Sequence, residues 1–354
     1  MRSNQKDIMV ETQAPRRRSK TNAMTIADVA LAAGVSAQTA SRALRGAPDV
    51  SEAARAKVEA AMREIGYVPN LAARNLASNK SMLVATILPL LSSSVFGETM
   101  EGAQEVLASA GYQTFIGYTK YDPQREEALV RSFLGRRPDG FLIVGTHHTA
   151  QSIHLLRQSG LPVVETWDWT DDPIDELVGF SNREAFVSLT KALADKGYRR
   201  PVFAGVVESG DARAVARRDG FIATASALWS GEAPRVVSLD QQPHTMAVGA
   251  EAFRRILQEH PQADVILFSS DIFASGAMLA AAQMGVSVPK DIAITGFGDY
   301  EIADRLTPRL TTVAVPAREL GRQSAEALLR RMRGAPRAEQ SLDLGYEIVA
   351  RESA

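Results

Sequence analysis
Cysteine is absent from the 354 residues, which removes disulfides, thiolate metal sites and cysteine nucleophiles together and suits a reducing compartment. No run of 18 apolar residues occurs. Met1 opens a polar stretch with Pro15, Arg16, Arg17, Arg18 and Lys20 in place of the apolar core of an export signal. A cytoplasmic chain with no membrane partner is expected. Catalytic signatures fail in turn: there is no His-Glu-x-x-His pair and no Gly-x-Ser-x-Gly elbow. Gly296-Phe-Gly298 begins a dinucleotide fingerprint, but Glu301 stands where its last glycine belongs. Gly205 to Gly210 has phosphate-loop spacing, yet Asp211 and Ala212 replace the required Lys and Ser or Thr. No catalytic residue, metal or cofactor is expected, and the chain does not read as an enzyme.

What is present is globular: 45% hydrophobic and 23% charged, with length for about two to three domains. The net charge of −1 hides a polarity. Residues 1 to 80 hold 13 Lys and Arg against 7 Asp and Glu; the rest hold 27 against 34. A basic front before an acidic body suits a polyanionic partner at the amino-terminal end.

Residues 1 to 23 have no sustained apolar period and are expected to be a disordered tail. A helix-turn-helix domain is expected over 24 to 69. Thr25 and Asp28 form a capping box, Ile26, Val29, Ala30 and Ala33 follow at helical spacing, and Gly34 ends the helix. Ser36 caps a second helix that buries Ala40, Ala43 and Leu44 and leaves Ala37, Gln38, Ser41 and Arg42 outward. A third, Ser51 to Ile65, puts Ala54, Val58, Ala61, Met62 and Ile65 on one face and closes at Gly66. Helix, glycine turn, helix is the spacing of a DNA-reading module.

The run from Thr25 to Arg42 (TIADVALAAGVSAQTASR), followed by Gly66-Tyr-Val-Pro-Asn70, resembles the head of the LacI/GalR family of bacterial regulators. It departs at Ala40, where the family usually has Val. A helix in the major groove can present Gln38 to an adenine edge and Arg42 to guanine. Thr25, Ser36, Thr39, Ser41 and Asn70 are expected phosphate contacts. The resemblance implies that the position of Ala37 helps choose the operator. It also makes residues 70 to 82 a hinge helix and linker that orders on DNA and pushes Leu76 into the minor groove.

From Leu83 the chain alternates strand-like and helical runs. Strands are expected at Leu83 to Leu88, Gln113 to Tyr118, Gly140 to Val144, Pro162 to Thr166, Pro201 to Val206, Val236 to Leu239, Val265 to Ser269 and Ile292 to Phe297. This alternation predicts an α/β fold of doubly wound parallel sheets, in two subdomains in preference to one barrel. The resemblance implies a two-lobed, periplasmic-binding-protein-like core over 83 to 354, for effector binding and dimerisation. Lobe one would cover about 83 to 181 and 312 to 338, and lobe two about 182 to 311 and 339 to 354. Within the family, Leu88 to Phe96, Gly111 to Thr114, Pro162 to Glu165, Val178 to Asn182 and Pro308 to Leu310 are most similar to the gluconate repressors.

Ligands of such sheets collect at the carboxyl ends of strands. That nominates Ser92, Ser93 and Phe96 after the first strand, Thr146, His147 and His148 after the third, and Trp167 and Asp168 after the fourth. Arg213 and Arg217, four apart, share a helix face, and a guanidinium fork suits a carboxylate or phosphate. The resemblance places both at effector positions. It gives His244 a ring-stacking role and makes Asp271, at the start of a helix, an acceptor for sugar hydroxyls. The implied protein is a homodimeric repressor of sugar-acid catabolism genes, with double-stranded operator DNA and a gluconate-like effector as partners. A sugar-binding protein without operator recognition is the rival reading.

Overall fold
A computed structural model describes residues 24–68, 80–208, 210–229 and 233–354. The expected amino-terminal tail and the hinge, with Asn70 and Leu76, lie outside the described residues. The chain divides into two units, Met1–Asn79 and Lys80–Ala354.

Among its described residues the first unit has three helices: α1 (Ile26–Ala33), α2 (Ala37–Leu44) and α3 (Glu52–Ile65). Each begins where its sequence predicts. Thr25 accepts from the Asp28 amide while the Asp28 carboxylate takes the Thr25 amide at 2.7 Å, closing the capping box. Ser36 Oγ accepts from Thr39 N at 3.0 Å, and Ser51 Oγ from Ala54 N at 3.3 Å. Gly34 and Gly66 end α1 and α3 at φ 65°, a left-handed conformation that only glycine adopts cheaply. The core is small: Val29, Ala30, Ala40, Ala43, Val58 and Ala61. Alanine at 40 is fully buried. Because so few methyls hold this unit, its caps matter. Ser36→Ala or Ser51→Ala is expected to cost about 1 kcal/mol, read as faster amide exchange across residues 26 to 65 with the core unchanged.

The second unit contains two six-stranded sheets. The first has the order β11-β5-β4-β3-β1-β2, all parallel, from β1 (Leu83–Leu88), β2 (Gln113–Tyr118), β3 (Gly140–Val144), β4 (Val163–Thr166), β5 (Glu176–Gly179) and β11 (Leu342–Asp343). The second has the order β12-β10-β9-β8-β6-β7, from β6 (Pro201–Gly205), β7 (Arg235–Ser238), β8 (Val265–Phe268), β9 (Ala293–Gly298), β10 (Thr311–Ala314) and β12 (Glu347–Val349). Only β12 runs antiparallel there. Their central strands are buried apolar runs, as sheets covered on both faces require.

Helices α4 (Ser94–Ser109), α5 (Pro123–Leu134), α6 (Ala150–Ser159) and α11 (Ala317–Met332) belong to the first lobe. The second has α7 (Asn182–Asp195), α8 (Ala212–Leu228), α9 (Met246–Glu259) and α10 (Asp271–Met284). Each of the eight expected strands is present within a residue or two. Two expected boundaries shift. Thr311–Ala314 pairs with β9, so the return to the first lobe follows Ala314 and does not precede residue 312. Leu342–Asp343 pairs with β5, so residues 339 to 343 belong to the first lobe. Backbone pairing with a distant strand, which the local pattern does not specify, assigns each of them to its sheet.

Candidate functional site
In the head, the outward face of α2 carries the residues expected to read DNA. Ala37 and Gln38 are exposed, Ser41 and Arg42 half-buried. Thr25, Ser36 and Thr39 sit at the amino ends of α1 and α2 with their hydroxyls engaged in caps; Ser36 Oγ and Thr39 Oγ1 are 2.8 Å apart. Arg42 forms an ion pair with Asp49, in the loop before α3.

In the second unit, the carboxyl ends of both sheets face each other across a cleft, and the chain crosses between lobes after β5, β10 and β11. A row of aromatic rings joins the two sides: Phe96 to Trp167 at 5.2 Å, Trp167 to Phe180 at 5.9 Å, Phe180 to Phe297 at 6.2 Å. Ser93, at the start of α4, and Tyr300, just past β9, bond across the cleft at 2.9 Å between hydroxyls.

A buried charge cluster lies on this aromatic floor. Asp211, beside the first turn of α8, takes Arg213 Nε at 3.2 Å and faces Arg217 Nη2 at 3.6 Å. Arg213 lies over the rings of Phe96 and Tyr121, at 5.4 and 5.7 Å, and Arg217 over Phe297 at 4.3 Å. Arg217 Nη1 donates to Asn182 Oδ1 at 2.5 Å, whereas its buried Nε has no hydrogen-bond partner among the described residues. Burial works against charge on all three groups. For Asp211 the two guanidinium ions overcome it and hold the carboxyl below its usual range. Burial likewise pulls Arg213 down, but Asp211 outweighs it. Arg217, sharing that carboxylate with Arg213, stays lowered. Two guanidinium ions thus share one carboxylate, and one buried N–H of Arg217 is left without an acceptor among the described residues.

The rest of the wall follows. Asp168, buried after β4, accepts from Thr146 Oγ1 at 2.9 Å and Asn182 Nδ2 at 3.4 Å, and His147 Nδ1 stands 3.5 Å away. Its hydrogen bond to Asp168 raises the His147 pKa. Trp167 donates from its indole to Thr99 at 2.9 Å and holds a left-handed backbone, φ 68°. His244 stacks at a tilt on Phe273, 4.6 Å between centroids, and bonds Ser270 at 3.0 Å; burial pushes it down to about 4, so it is neutral at pH 7. Ser92 and His244 line the mouth of the cleft, a cavity of about 800 Å³.

Asp271 is held within its own lobe. It is fully buried, and both carboxylate oxygens are taken within the lobe, by Thr312 Oγ1 at 2.6 Å and by the Tyr300 amide at 2.8 Å. Burial raises it to about 7. In this structure the side chain positions β10 and the Tyr300 loop, and it does not line the cleft. Sequence reasoning missed Tyr121, Asp211, Asn182, Phe297 and Tyr300. Tyr121 follows β2, so the strand-end rule would have found it. Its loop is tight: Lys120 and Tyr121 have φ 54° and 61°, and Gly210 approaches so closely that a Cβ there would meet Tyr121 O at 2.5 Å.

No helix among the described residues is long and apolar enough to cross a membrane. Comparison with known proteins agrees with the two-part architecture. Residues 25–70 match the family described as Bacterial regulatory proteins, lacI family, and residues 190–354 match the Periplasmic binding protein-like domain. The HTH-type transcriptional regulator GntR of Pseudomonas aeruginosa is 38% identical over 93% of this chain and 95% of its own length. A transcriptional regulator of the LacI family from Silicibacter pomeroyi superposes with a TM-score of 0.87 at 35% identity, over 93% of this chain and 99% of that one. The lac repressor dimer bound to operator and the anti-inducer ONPF gives 0.79 at 26% identity, over 94% and 99%.

Proposed function
Because this chain belongs to the LacI family of bacterial regulatory proteins and is a DNA-binding transcription regulator, we propose that it is a cytoplasmic homodimeric repressor of sugar-acid catabolism genes whose effector is a small carboxylate of the gluconate kind. The observation that carries the effector class is the buried pair Arg213 and Arg217, sharing Asp211, with Arg217 Nε left over. A carboxylate placed there takes a charge-assisted hydrogen bond in a water-poor site. Asp168 and His147 supply acceptors and donors for hydroxyls, and Phe96 and Trp167 cover the carbon chain.

Helix α2 is assigned to the major groove, with Gln38 and Arg42 reading base edges and Ala37 leaving room beside them. One such head reads only a few base pairs, and pairing two multiplies specificity. Exposed apolar side chains support a dimer face: Ile116 and Tyr118 on the edge strand β2, Leu279 and Met284 on α10. Effector binding between the lobes changes their closure and, through the crossings, the operator affinity; a coupling of about 1–3 kcal/mol gives a 5- to 150-fold change. The test is fluorescence anisotropy of a duplex selected from a random library, with and without gluconate, ketogluconates, phosphogluconate, neutral sugars and nucleosides. Sugar acids are expected to shift the affinity. Equal affinity with every compound overturns effector control, and a response to neutral sugars alone overturns the anionic assignment.

A further inference from the structure
We propose that Asp49 sets the ratio of operator to non-specific DNA affinity by holding the guanidinium of Arg42. This rests on the assignment of Arg42 as a base contact. Arg42 lies one turn after Gln38 on the outward face of α2, and its partner comes from the loop between α2 and α3. That loop is fixed by its own backbone. Gly46 turns the chain at φ 69°, Ala47 N donates to Arg42 O at 3.1 Å and Val50 N to Ala47 O at 3.2 Å. Arg55, on α3, donates its Nη2 to Ala47 O at 3.2 Å. Asp49 is therefore presented to Arg42 by the fold.

The pair is half exposed, with side chains 41% and 51% accessible. Such exposed ion pairs add little to stability, so holding the head together is not their main effect. What the pair changes is the charge offered to DNA. Non-specific binding comes from Lys and Arg neutralising phosphates. An arginine already matched by a carboxylate brings no net charge to a phosphate, and Asp49 itself is repelled there. A guanine edge differs: it offers two acceptors in one plane. The guanidinium has five N–H groups, so it can serve that edge with some while keeping others on Asp49. The carboxylate thus penalises the sequence-blind complex and fixes the fork for the specific one.

The experiment uses the full-length protein and its Asp49→Asn, Arg42→Ala and doubly substituted forms. Anisotropy is measured on the selected duplex and on a scrambled duplex of equal length, from 50 to 200 mM salt. Asp49→Asn is expected to raise affinity for the scrambled duplex about 3- to 10-fold and to steepen its salt slope by about 1. Operator affinity rises less, so the ratio falls. In the Arg42→Ala background the effect of Asp49→Asn on the ratio is expected to vanish. An unchanged ratio, or the same effect with and without Arg42, overturns the proposal and leaves Asp49 a general repulsive charge. If Arg42→Ala leaves base discrimination intact, the reading of α2 falls as well, which separates the two failures.

Discussion
Replacing Arg217 with alanine is expected to weaken an anionic effector by about 30-fold to several thousand-fold. Truncating one partner of a buried, hydrogen-bonded charge pair costs about 2–5 kcal/mol, and each 1.4 kcal/mol is about tenfold. The mutation deletes the unpartnered Nε and leaves Arg213 alone with Asp211, so the cluster loses its surplus positive charge. A neutral polyol of the same carbon number meets no such loss, and its affinity is expected to change by less than about fivefold. Arg217→Lys keeps the charge without the planar fork and should fall between. Arg217 also bonds Asn182. The thermal stability of the ligand-free variant, together with calorimetry on both ligands, therefore separates a lost contact from a loosened lobe. Arg213→Ala should show the same contrast between acid and neutral ligands. Equal losses for both ligands at both positions would make these arginines structural.

The second large effect lies below the cleft, at a histidine the site does not use. His148 is almost fully buried between two carboxylates, Nδ1 to Glu126 Oε1 at 2.6 Å and Nε2 to Glu165 Oε1 at 3.1 Å. Burial alone would lower its pKa, but the two glutamates reverse the sign and lift it to about 9. The second oxygen of Glu165 accepts from Ile174 N at 2.5 Å, tying β4 to the loop before β5. His148→Ala strands two buried carboxylates, which costs about 3–5 kcal/mol and lowers the melting temperature by about 6–20 °C. The pH dependence has a definite sign. The folded pKa lies above the ordinary 6.5, so the imidazolium contributes fully below that value and its contribution is lost as pH rises through about 9. Wild-type stability is expected to fall between pH 6.5 and 9, and the fall should be shallower in His148→Gln. Parallel urea midpoints for the two proteins over that range would remove the ion triad from the account.

The head was legible almost residue by residue. Caps at Thr25, Ser36 and Ser51, the glycine stops and the buried alanines all depend on neighbours within about four residues. The eight expected strands were legible for the same reason. Four others were not: Glu176–Gly179, Thr311–Ala314, Leu342–Asp343 and Glu347–Val349 take their place in the sheets from pairing with distant partners. At the site, strand ends nominated Phe96, Thr146, Trp167 and Asp168 as effector contacts, and the structure places their side chains along cavities of the second unit. Asp271 came from the resemblance alone, and a position at a helix start does not say which neighbours will engage its two oxygens.

By itself the sequence determined the DNA-reading helix, the alternating core and the arginine pair, since each is a pattern of near neighbours. Only the tertiary structure decided what those side chains hold. Arg217 meets Asn182 from 35 positions away and Ser93 meets Tyr300 across 207. Asp271 meets Tyr300 from 29 positions away and Thr312 from 41. Burial then sets the charge state, since a carboxylate, imidazole or guanidinium withdrawn from water takes its pKa from whichever partners the fold brings within a few ångströms.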